Sequence, residues 1–399
     1  MKLILFLKKL KGVLIMNKNI AILIPNLNKG GAERIAANIS CHLPNKYNVY
    51  FFLFDDQNIT YQYKGEIIKI YSKFSKNIFY KIYHTINRIR ILKKLKNKYS
   101  IDLTINHLGV MNFLNICSRN GDKIIITEHA YKNKSKIKTK DKIFRKFYKY
   151  ADKIITVSNG IKYNLVKNYN IQEEKINTIY NFFDLNRIKK LANIKLREEN
   201  EDIFKNPTII NIGRLSYQKG QWYLIRIFKE VKRIVPNARL VFLGEGPLKN
   251  NLINLTKKLD LQNDVHFLGF KKNPYKYLNK ATIFAFTSLW EGFGNVLVES
   301  MISGTPVITT DCKAGPREIL APGIEVNNLK KIEYAKFGIL TPTFKNTYLN
   351  SCTPITNLEK KYATSIVNII KRPNLQEKYI GKQKIRIKDF DVKTIISKW

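Results

Sequence analysis

Several features are scarce or missing in this chain of 399 residues. Its 4 cysteines are widely separated and form no C-x-x-C pair, which argues against a zinc knuckle or a disulfide framework and favours a reducing compartment. Only 12 prolines occur, without a Gly/Ser-rich tract, so we expect no long flexible linker. No segment reaches the roughly 20 apolar residues of a membrane-spanning helix.

Acidic residues are also scarce, at 30 against 71 lysines and arginines, which gives a formal net charge of +41. The first 200 residues hold 39 basic and 14 acidic residues and so carry most of this excess. The positive electrostatic field of such a chain attracts the phosphates of nucleotides, anionic lipids or nucleic acids, although a generally lysine-rich surface would also explain the total net charge. No helix-turn-helix, RNP-like or zinc-finger pattern supports nucleic-acid binding.

The N-terminal extension, 1–18, is basic and apolar but has no small-residue cleavage site, so it is not interpreted as a signal peptide. Its leucines would share one face of an interfacial helix. Alternatively, translation begins at Met16 and the extension is an artefact.

Short β-branched runs alternate with longer amphipathic stretches along the rest of the chain. Such runs predict strands buried on both faces, in a parallel sheet covered by helices. The predicted strands are 20–25, 49–54, 101–106, 123–128, 153–158, 208–213, 240–244, 265–268, 283–287 and 307–310. The predicted helices include 32–43, 77–98, 223–235, 249–259, 355–371 and 375–386. This βαβα order predicts an α/β fold with two doubly wound, Rossmann-like domains and a cleft between them.

The alternation pauses in the charged segment 184–207, and we place the domain junction there, near Lys205. The first domain is expected to span 19–200 and the second 205–385, with a last helix in 386–399. Ligands of doubly wound sheets bind at the carboxyl ends of the strands, so the loops that follow the strands are the candidate sites.

The loop after the first predicted strand places Gly30 and Gly31 before a helix. Backbone amides at a helix N-terminus suit an anion, although a purely structural turn is the alternative. The loop 213–220 carries Arg214 and Lys219 between two glycines. Both cations could reach one diphosphate.

The segment 291–299, EGFGNVLVE, places Glu291 in a loop and Glu299 in the first turns of a helix. A carboxylate accepts hydrogen bonds from two hydroxyls at once, so this pair suits the diols of a sugar and a ribose. The amides of the Gly-Phe-Gly turn that precedes the helix suit a phosphate.

Five motifs occur in order: G-R-L-x-x-Q-K-G at 213–220, G-E-G-P at 244–247, F-L-G at 267–269, E-G-F-G-N-x-L-V-E at 291–299 and S-G-T-P-V-I at 303–308. Together they resemble the retaining glycosyltransferases of family four, strongly over 205–343 and more loosely over 19–182 through GGAER, TEH, VSNG and IYN. The resemblance implies the GT-B fold, in which two Rossmann-like domains face each other across a cleft and a C-terminal helix crosses back to the first domain. The G-P-R-E-I-L at 315–320 resembles members that build bacterial surface polysaccharides, such as lipopolysaccharide or capsule, or lipid-linked oligosaccharides.

The resemblance also implies a role for each matching residue. Arg214 and Lys219 would bind the donor diphosphate and stabilise it as it leaves, Glu291 would hold hydroxyls of the donor sugar, and Glu299 would hold those of the ribose. His129 would lie against the sugar, near the reaction centre. The remaining implied contacts to the nucleotide-sugar or the acceptor are Gly31, Gly244, Gly269, Phe293, Gly294 and Asn295.

The implied reaction is transfer of a hexose or N-acetylhexosamine from a nucleotide diphosphate sugar, preferably UDP-linked, to a lipid-linked or glycan acceptor. The acceptor would attack the face of the sugar from which the phosphate departs, and the departing phosphate would help to take the acceptor proton. No metal or other cofactor is expected, because Asp389 and Asp391 match D-x-D only by letter and suit a helix cap.

Two stretches of the first domain, 77–98 and 132–149, interleave basic residues with aromatics and isoleucine. We expect a cytoplasmic protein attached peripherally to anionic lipid on the inner face of the cell membrane, with ordinary amphipathic helices as the alternative. Other readings are an epimerase or phosphorylase of the same fold, a basic nucleic-acid- or membrane-binding protein, and a non-catalytic partner subunit. The presence of both predicted cations and both glutamates disfavours the last of these.

Overall fold

The structure is a computed structural model that describes residues 18–28, 30–70, 77–131, 139–324 and 329–399. Both interpretations of the N-terminal extension fall almost entirely outside the described residues and stay predictions. The chain divides into two compact units. The first comprises Met1–Phe182 together with Ile395–Trp399, and the second comprises Phe183–Thr394.

The first unit is built on a parallel sheet. Its strands are β1 (Lys18–Leu23), β2 (Tyr47–Leu53), β3 (Glu66–Lys69), β4 (Leu103–His107), β5 (Lys123–Glu128), β6 (Lys153–Thr156) and β7 (Ile176–Thr178). Its helices are α1 (Gly31–His42), α2 (Ile78–Lys98), α3 (Gly109–Cys117), α4 (Thr139–Lys146) and α5 (Asn159–Tyr169). Across the described residues the strand order is β3-β2-β1-β4-β5-β6-β7, so the order reverses beside β1 as in a Rossmann-like sheet.

The second unit repeats this plan. Its strands are β8 (Thr208–Ile212), β9 (Arg239–Leu243), β10 (Val265–Gly269), β11 (Ile283–Phe286), β12 (Val307–Thr310), β13 (Glu333–Tyr334) and β14 (Ile339–Thr341). Its helices are α6 (Leu185–Ala192), α7 (Glu198–Phe204), α8 (Gln221–Ile234), α9 (Lys249–Lys258), α10 (Tyr275–Lys280), α11 (Asn295–Ile302), α12 (Pro316–Leu320), α13 (Asn357–Lys371), α14 (Pro373–Arg386) and α15 (Val392–Ile395). The strand order is β10-β9-β8-β11-β12-β14-β13, and every pair is parallel except β13 with β14.

The sequence dictates these elements through burial. Strand β11 is buried along its whole length, as its apolar composition requires, and α8 buries Trp222 and Tyr223 in the core of the second unit. A buried ion pair joins α8 to α13, where Arg226 Nε lies 2.7 Å from Glu359 Oε1. Two Rossmann-like α/β units therefore confirm the predicted fold class.

Two predicted boundaries differ from the observed ones. The division after Phe182 comes earlier in the chain than the junction expected near Lys205, because the amphipathic helix α6 packs against α10 and α11 of the second unit. The last helix is also shorter than expected, since Asp391 is extended and separates α14 and a following turn from the short α15. Asp391 Oδ1 accepts a hydrogen bond from the Lys393 backbone amide, which is the capping role expected for it.

Candidate active site

Two predicted loops of the second unit lie together because β8 and β11 are neighbouring parallel strands. The loop after β8 and the loop after β11 leave the same edge of the sheet, and hydrogen bonds join them. Gln218 Nε2 donates to the Trp290 carbonyl at 2.8 Å, and the Leu289 amide donates to the Gln218 carbonyl at 2.8 Å. These two hydrogen bonds hold the loops together.

Lys219 and Glu291, which are distant in sequence, form an ion pair between these loops. The Lys219 ammonium donates to Glu291 Oε1 at 2.6 Å and lies 4.6 Å from the centre of the Phe286 ring. The two side chains are only 16% and 7% exposed. The pair therefore places a cation and an anion at the carboxyl ends of β8 and β11 in a partly dehydrated setting.

Arg214 follows β8 directly and is exposed. Its backbone carbonyl accepts a hydrogen bond from Gln221 Nε2 at 3.0 Å, which fixes the chain at this point. Its guanidinium makes no ion pair or hydrogen bond with the described residues. A bidentate donor on an anchored backbone is suited to a diphosphate.

Glycines end three neighbouring strands of this sheet. The Gly213 amide donates to the Leu243 carbonyl at 3.0 Å, and the Gly244 amide donates to the Gly269 carbonyl at 2.9 Å. Gly244 has φ +142°, and a Cβ there would overlap the Gly213 carbonyl oxygen. The neighbouring strand end thus fills the space at Gly244, and the Lys219 side chain lies against Gly213.

Helix α11 carries the remaining predicted residues of the second unit. Gly294 precedes it with φ +90°, Asn295 begins it, and Glu299 is buried about one turn further along. Gly315 packs against the Phe293 backbone so closely that a Cβ at Gly315 would overlap the Phe293 carbonyl oxygen. The helix N-terminus is thus braced by the loop that follows β12.

Asp311, the first residue of that loop, belongs to a charge cluster that the sequence did not predict. Arg317 donates to Asp311 Oδ2 at 2.7 and 2.9 Å and to Glu333 Oε2 at 2.9 Å. Next to Asp311, burial raises the pKa of the Cys312 thiol well above its ordinary value, and the negative charge of Glu291 adds to this effect. The position of Asp311 and Cys312 after a buried strand was the available signal for this cluster.

The first unit holds Gly31 and His129. Gly31 begins α1, as expected of a glycine at a helix N-terminus. His129 follows β5 and is half-buried, and its Nε2 lies 2.8 Å from Nδ1 of His107, a fully buried residue at the end of β4. The rule that selected His129, a polar residue at the carboxyl end of a strand, would also have selected His107.

Glu128, beside His129, is held in the interior of the first unit. It accepts hydrogen bonds from Arg145 Nη2 at 2.8 Å and from the Tyr148 hydroxyl at 3.0 Å, and Asn112 Nδ2 donates to that hydroxyl at 2.7 Å. The Ala130 amide donates to Glu128 Oε1 at 3.3 Å, so the same network fixes the backbone on both sides of His129.

Comparison with known proteins decides the family. The family model described as "Glycosyltransferase Family 4" matches residues 29–187, and the one described as "Glycosyl transferases group 1" matches 193–330. An uncharacterized glycosyltransferase of Methanocaldococcus jannaschii is 36% identical over 84% of this chain and 88% of its own length. The chain belongs to glycosyltransferase family four.

A second relative of this glycosyltransferase is 31% identical over 94% of the chain and 96% of its own length. It is the N-acetylgalactosamine-N,N'-diacetylbacillosaminyl-diphospho-undecaprenol 4-alpha-N-acetylgalactosaminyltransferase of Campylobacter jejuni.

Solved structures agree with the fold of this glycosyltransferase. The crystal structure of Anabaena HepE in complex with UDP-glucose superposes with a TM-score of 0.73 at 19% identity, covering 95% of this chain and 97% of that one. WaaG, a glycosyltransferase involved in lipopolysaccharide biosynthesis, superposes with a TM-score of 0.69 at 12% identity, covering 95% and 98%. At these identities the likeness supports the GT-B fold alone.

Proposed function

We propose that this glycosyltransferase moves a hexose or N-acetylhexosamine from a UDP-sugar to a lipid-linked or polysaccharide acceptor, with retention of anomeric configuration. The contact between Lys219 and Glu291 beside the exposed Arg214 carries the proposal. The two cations suit the diphosphate, and the carboxylate suits the hydroxyls of the attached sugar.

Rate enhancement in this arrangement would come from charge placed before the reaction begins. Negative charge develops on the diphosphate as the bond to the sugar breaks, and Arg214 and Lys219 would stabilise it there. The Lys219 ammonium is already oriented by Glu291, so little reorganisation accompanies bond breaking. The diphosphate oxygen that leaves would accept the acceptor proton on the same face of the sugar.

Relatives support the choice of substrates. The name of the Campylobacter jejuni relative specifies an N-acetylgalactosaminyl group and a diphospho-undecaprenol acceptor. Another relative, from Salmonella typhimurium, is a lipopolysaccharide 1,6-galactosyltransferase, 26% identical over 44% of this chain. A bacterial surface glycan or its lipid-linked precursor is therefore the acceptor class we propose.

A thermal-shift screen with UDP-, GDP- and ADP-sugars tests the donor. A ligand that binds only the folded protein stabilises it by about 2.7 kcal/mol at a hundred times its Kd, so the correct base should raise Tm selectively. A larger shift with a GDP- or ADP-sugar would reject UDP. The anomeric configuration of the isolated product, read by NMR, tests retention directly.

Arg214→Ala tests the site itself. We expect turnover to fall about 10²-fold or more, as for other preorganised groups that stabilise developing charge. Arg233→Ala is the matched control, because Arg233 is 73% exposed on the same unit and outside the candidate site. Near-normal turnover in Arg214→Ala would contradict the proposed role.

Membrane attachment through α2 is a second part of the proposal. No helix within the described ranges combines the length and apolar character needed to cross a bilayer. The first half of α2 nevertheless exposes apolar side chains, with Phe79 78%, Ile82 54% and Tyr83 61% exposed. Exposed cations, Arg90 and Lys93 among them, follow at helical spacing on this helix. An apolar face next to cations suits the interface of an anionic membrane. The other predicted stretch, 132–149, is described only from 139 onward.

Liposome sedimentation tests this surface. We expect binding to vesicles that contain anionic lipid and weaker binding to neutral vesicles. Tyr83→Ser should weaken binding, whereas Tyr163→Ser should not, since Tyr163 is also 61% exposed but lies on α5. Equal binding by both variants, or no preference for anionic lipid, would exclude α2 as the attachment surface.

A further inference from the structure

Two histidines at the carboxyl ends of β4 and β5 form a pair. The strands are parallel, and His107 lies opposite Thr127 in their register, so His129 comes next to His107. His107 Nδ1 and His129 Nε2 lie 2.8 Å apart, and the ring centres are separated by 5.1 Å. At this distance one of the two nitrogens must donate a proton to the other.

Thr127 restricts how the pair can be protonated. Its hydroxyl donates to the Asn106 carbonyl at 2.7 Å, so its oxygen is left to accept. That oxygen lies 2.8 Å from His107 Nδ1 and 3.1 Å from His129 Nε2. The shorter distance is to His107, which favours His107 Nδ1 as the donor.

Both rings are neutral near physiological pH. Burial lowers the pKa of His129 to about 4, and it lowers the pKa of His107 well below its ordinary value, with the neighbouring imidazole adding to the effect on His107. A neutral imidazole carries one N–H, so the ring that donates to the other has its only proton between the two rings, and the accepting ring must carry its proton on its far nitrogen.

The far nitrogen of His107 decides between the two arrangements. His107 Nε2 is buried and has no hydrogen-bond partner among the described residues. If His129 Nε2 were the donor, the His107 proton would lie on this nitrogen and remain unsatisfied. Buried N–H groups without an acceptor are rarer than acceptors without a donor. His107 therefore carries its proton on Nδ1, and His129 carries its own on Nδ1.

We propose that His107 is a positioning residue, which holds His129 in the tautomer protonated at Nδ1 and presents that N–H to a hydroxyl of the sugar substrate. The contact with a sugar hydroxyl rests on the proposed function, whereas the assignment of the tautomer does not. Nδ1 of His129 makes no hydrogen bond within the described part of the chain, so this donor is available to a ligand. Thr127 supports the arrangement as the second acceptor for His107.

Nitrogen-15 NMR of histidine-labelled protein tests the tautomer without any activity. The 5 histidines are few enough to assign with His107→Asn and His129→Asn variants. We expect His129 protonated at Nδ1 and bare at Nε2 in the wild-type chain. In His107→Leu, which cannot donate, His129 should shift towards protonation at Nε2. A wild-type His129 protonated at Nε2 would overturn the proposal.

Kinetics then test the consequence for the reaction. His107→Leu should lower kcat about 10- to 100-fold, as for residues that orient metal-binding histidines, while UDP affinity stays unchanged. His107→Asn places an amide N–H near the former Nδ1 and should recover most of the turnover. Unchanged kcat in His107→Leu, or equal loss in both variants, would reject the positioning role. Absence of all glycosyl transfer alongside the expected wild-type tautomer would reject the proposed function instead.

Discussion

Removing one partner of the ion pair between Lys219 and Glu291 should destabilise the second unit far more than removing one partner of a surface pair with the same Nζ to oxygen distance. Lys205 and Asp202 form that surface pair: both pairs have an Nζ to carboxylate oxygen distance of 2.6 Å, but the surface side chains are 74% and 81% exposed. Burial is thus the main difference between the two pairs. Both pairs lie in the second unit, so the same unfolding measurement reports on both.

The magnitude follows from the dehydration of the site. Removing one member of a buried ion pair leaves an uncompensated charge and costs about 3–5 kcal/mol. We expect Lys219→Met to lower the free energy of unfolding by about 3 kcal/mol, since Glu291 is 7% exposed. Glu291→Gln should cost about 2 kcal/mol, because Lys219 retains some contact with water and the amide oxygen still accepts. The double variant should cost less than the sum, with a coupling energy of about 2 kcal/mol.

Tryptophan fluorescence during urea unfolding can report on this unit alone. Of the 3 tryptophans, Trp222 and Trp290 lie in the second unit, and Trp399 groups with the first. A Trp399→Phe background therefore removes the signal of the other unit. All single and double variants would be measured in that background.

The control cycle uses Lys205→Met and Asp202→Asn. Exposed pairs are screened by water and salt, so we expect no measurable coupling there. Equal coupling energies in the two cycles would refute the reasoning, because burial would then have no influence on the pair. Coupling at Lys219 that disappears in moderate salt would refute it as well.

Three further predictions follow from single contacts. Gly244→Ala should destabilise the second unit by about 2 kcal/mol or more in urea unfolding, since its Cβ would overlap the Gly213 carbonyl at a positive φ. Arg226→Met should cost about 3–5 kcal/mol by the same measurement, because it leaves Glu359 buried without its cation. Burial lowers the pKa of His129 from 6.5 to about 4, so between these values the unfolded chain binds a proton that the folded chain does not. Stability should therefore be fullest above about pH 6.5 and fall towards about pH 4, and His129→Asn should make this fall shallower in unfolding curves measured across that range.

The sequence by itself determined the central strands and the loops that carry polar groups. Strands such as β8 and β11 are continuous apolar runs, and such runs have few alternatives to burial in a parallel sheet. The strands that were missed are short and partly exposed, as in β3 and β13, or only three residues long, as in β7 and β14. Their strand conformation depends on a neighbour's hydrogen bonds rather than on their own composition.

The contacts within the site were decided only by the tertiary structure. The sequence placed Lys219 and Glu291 at strand ends, but their ion pair exists because β8 and β11 are neighbours in the sheet. In the same way, the register of β4 and β5 brings His107 against His129. Composition and spacing identify candidate residues along the chain, whereas strand order decides which of them lie within hydrogen-bond or ion-pair distance of each other.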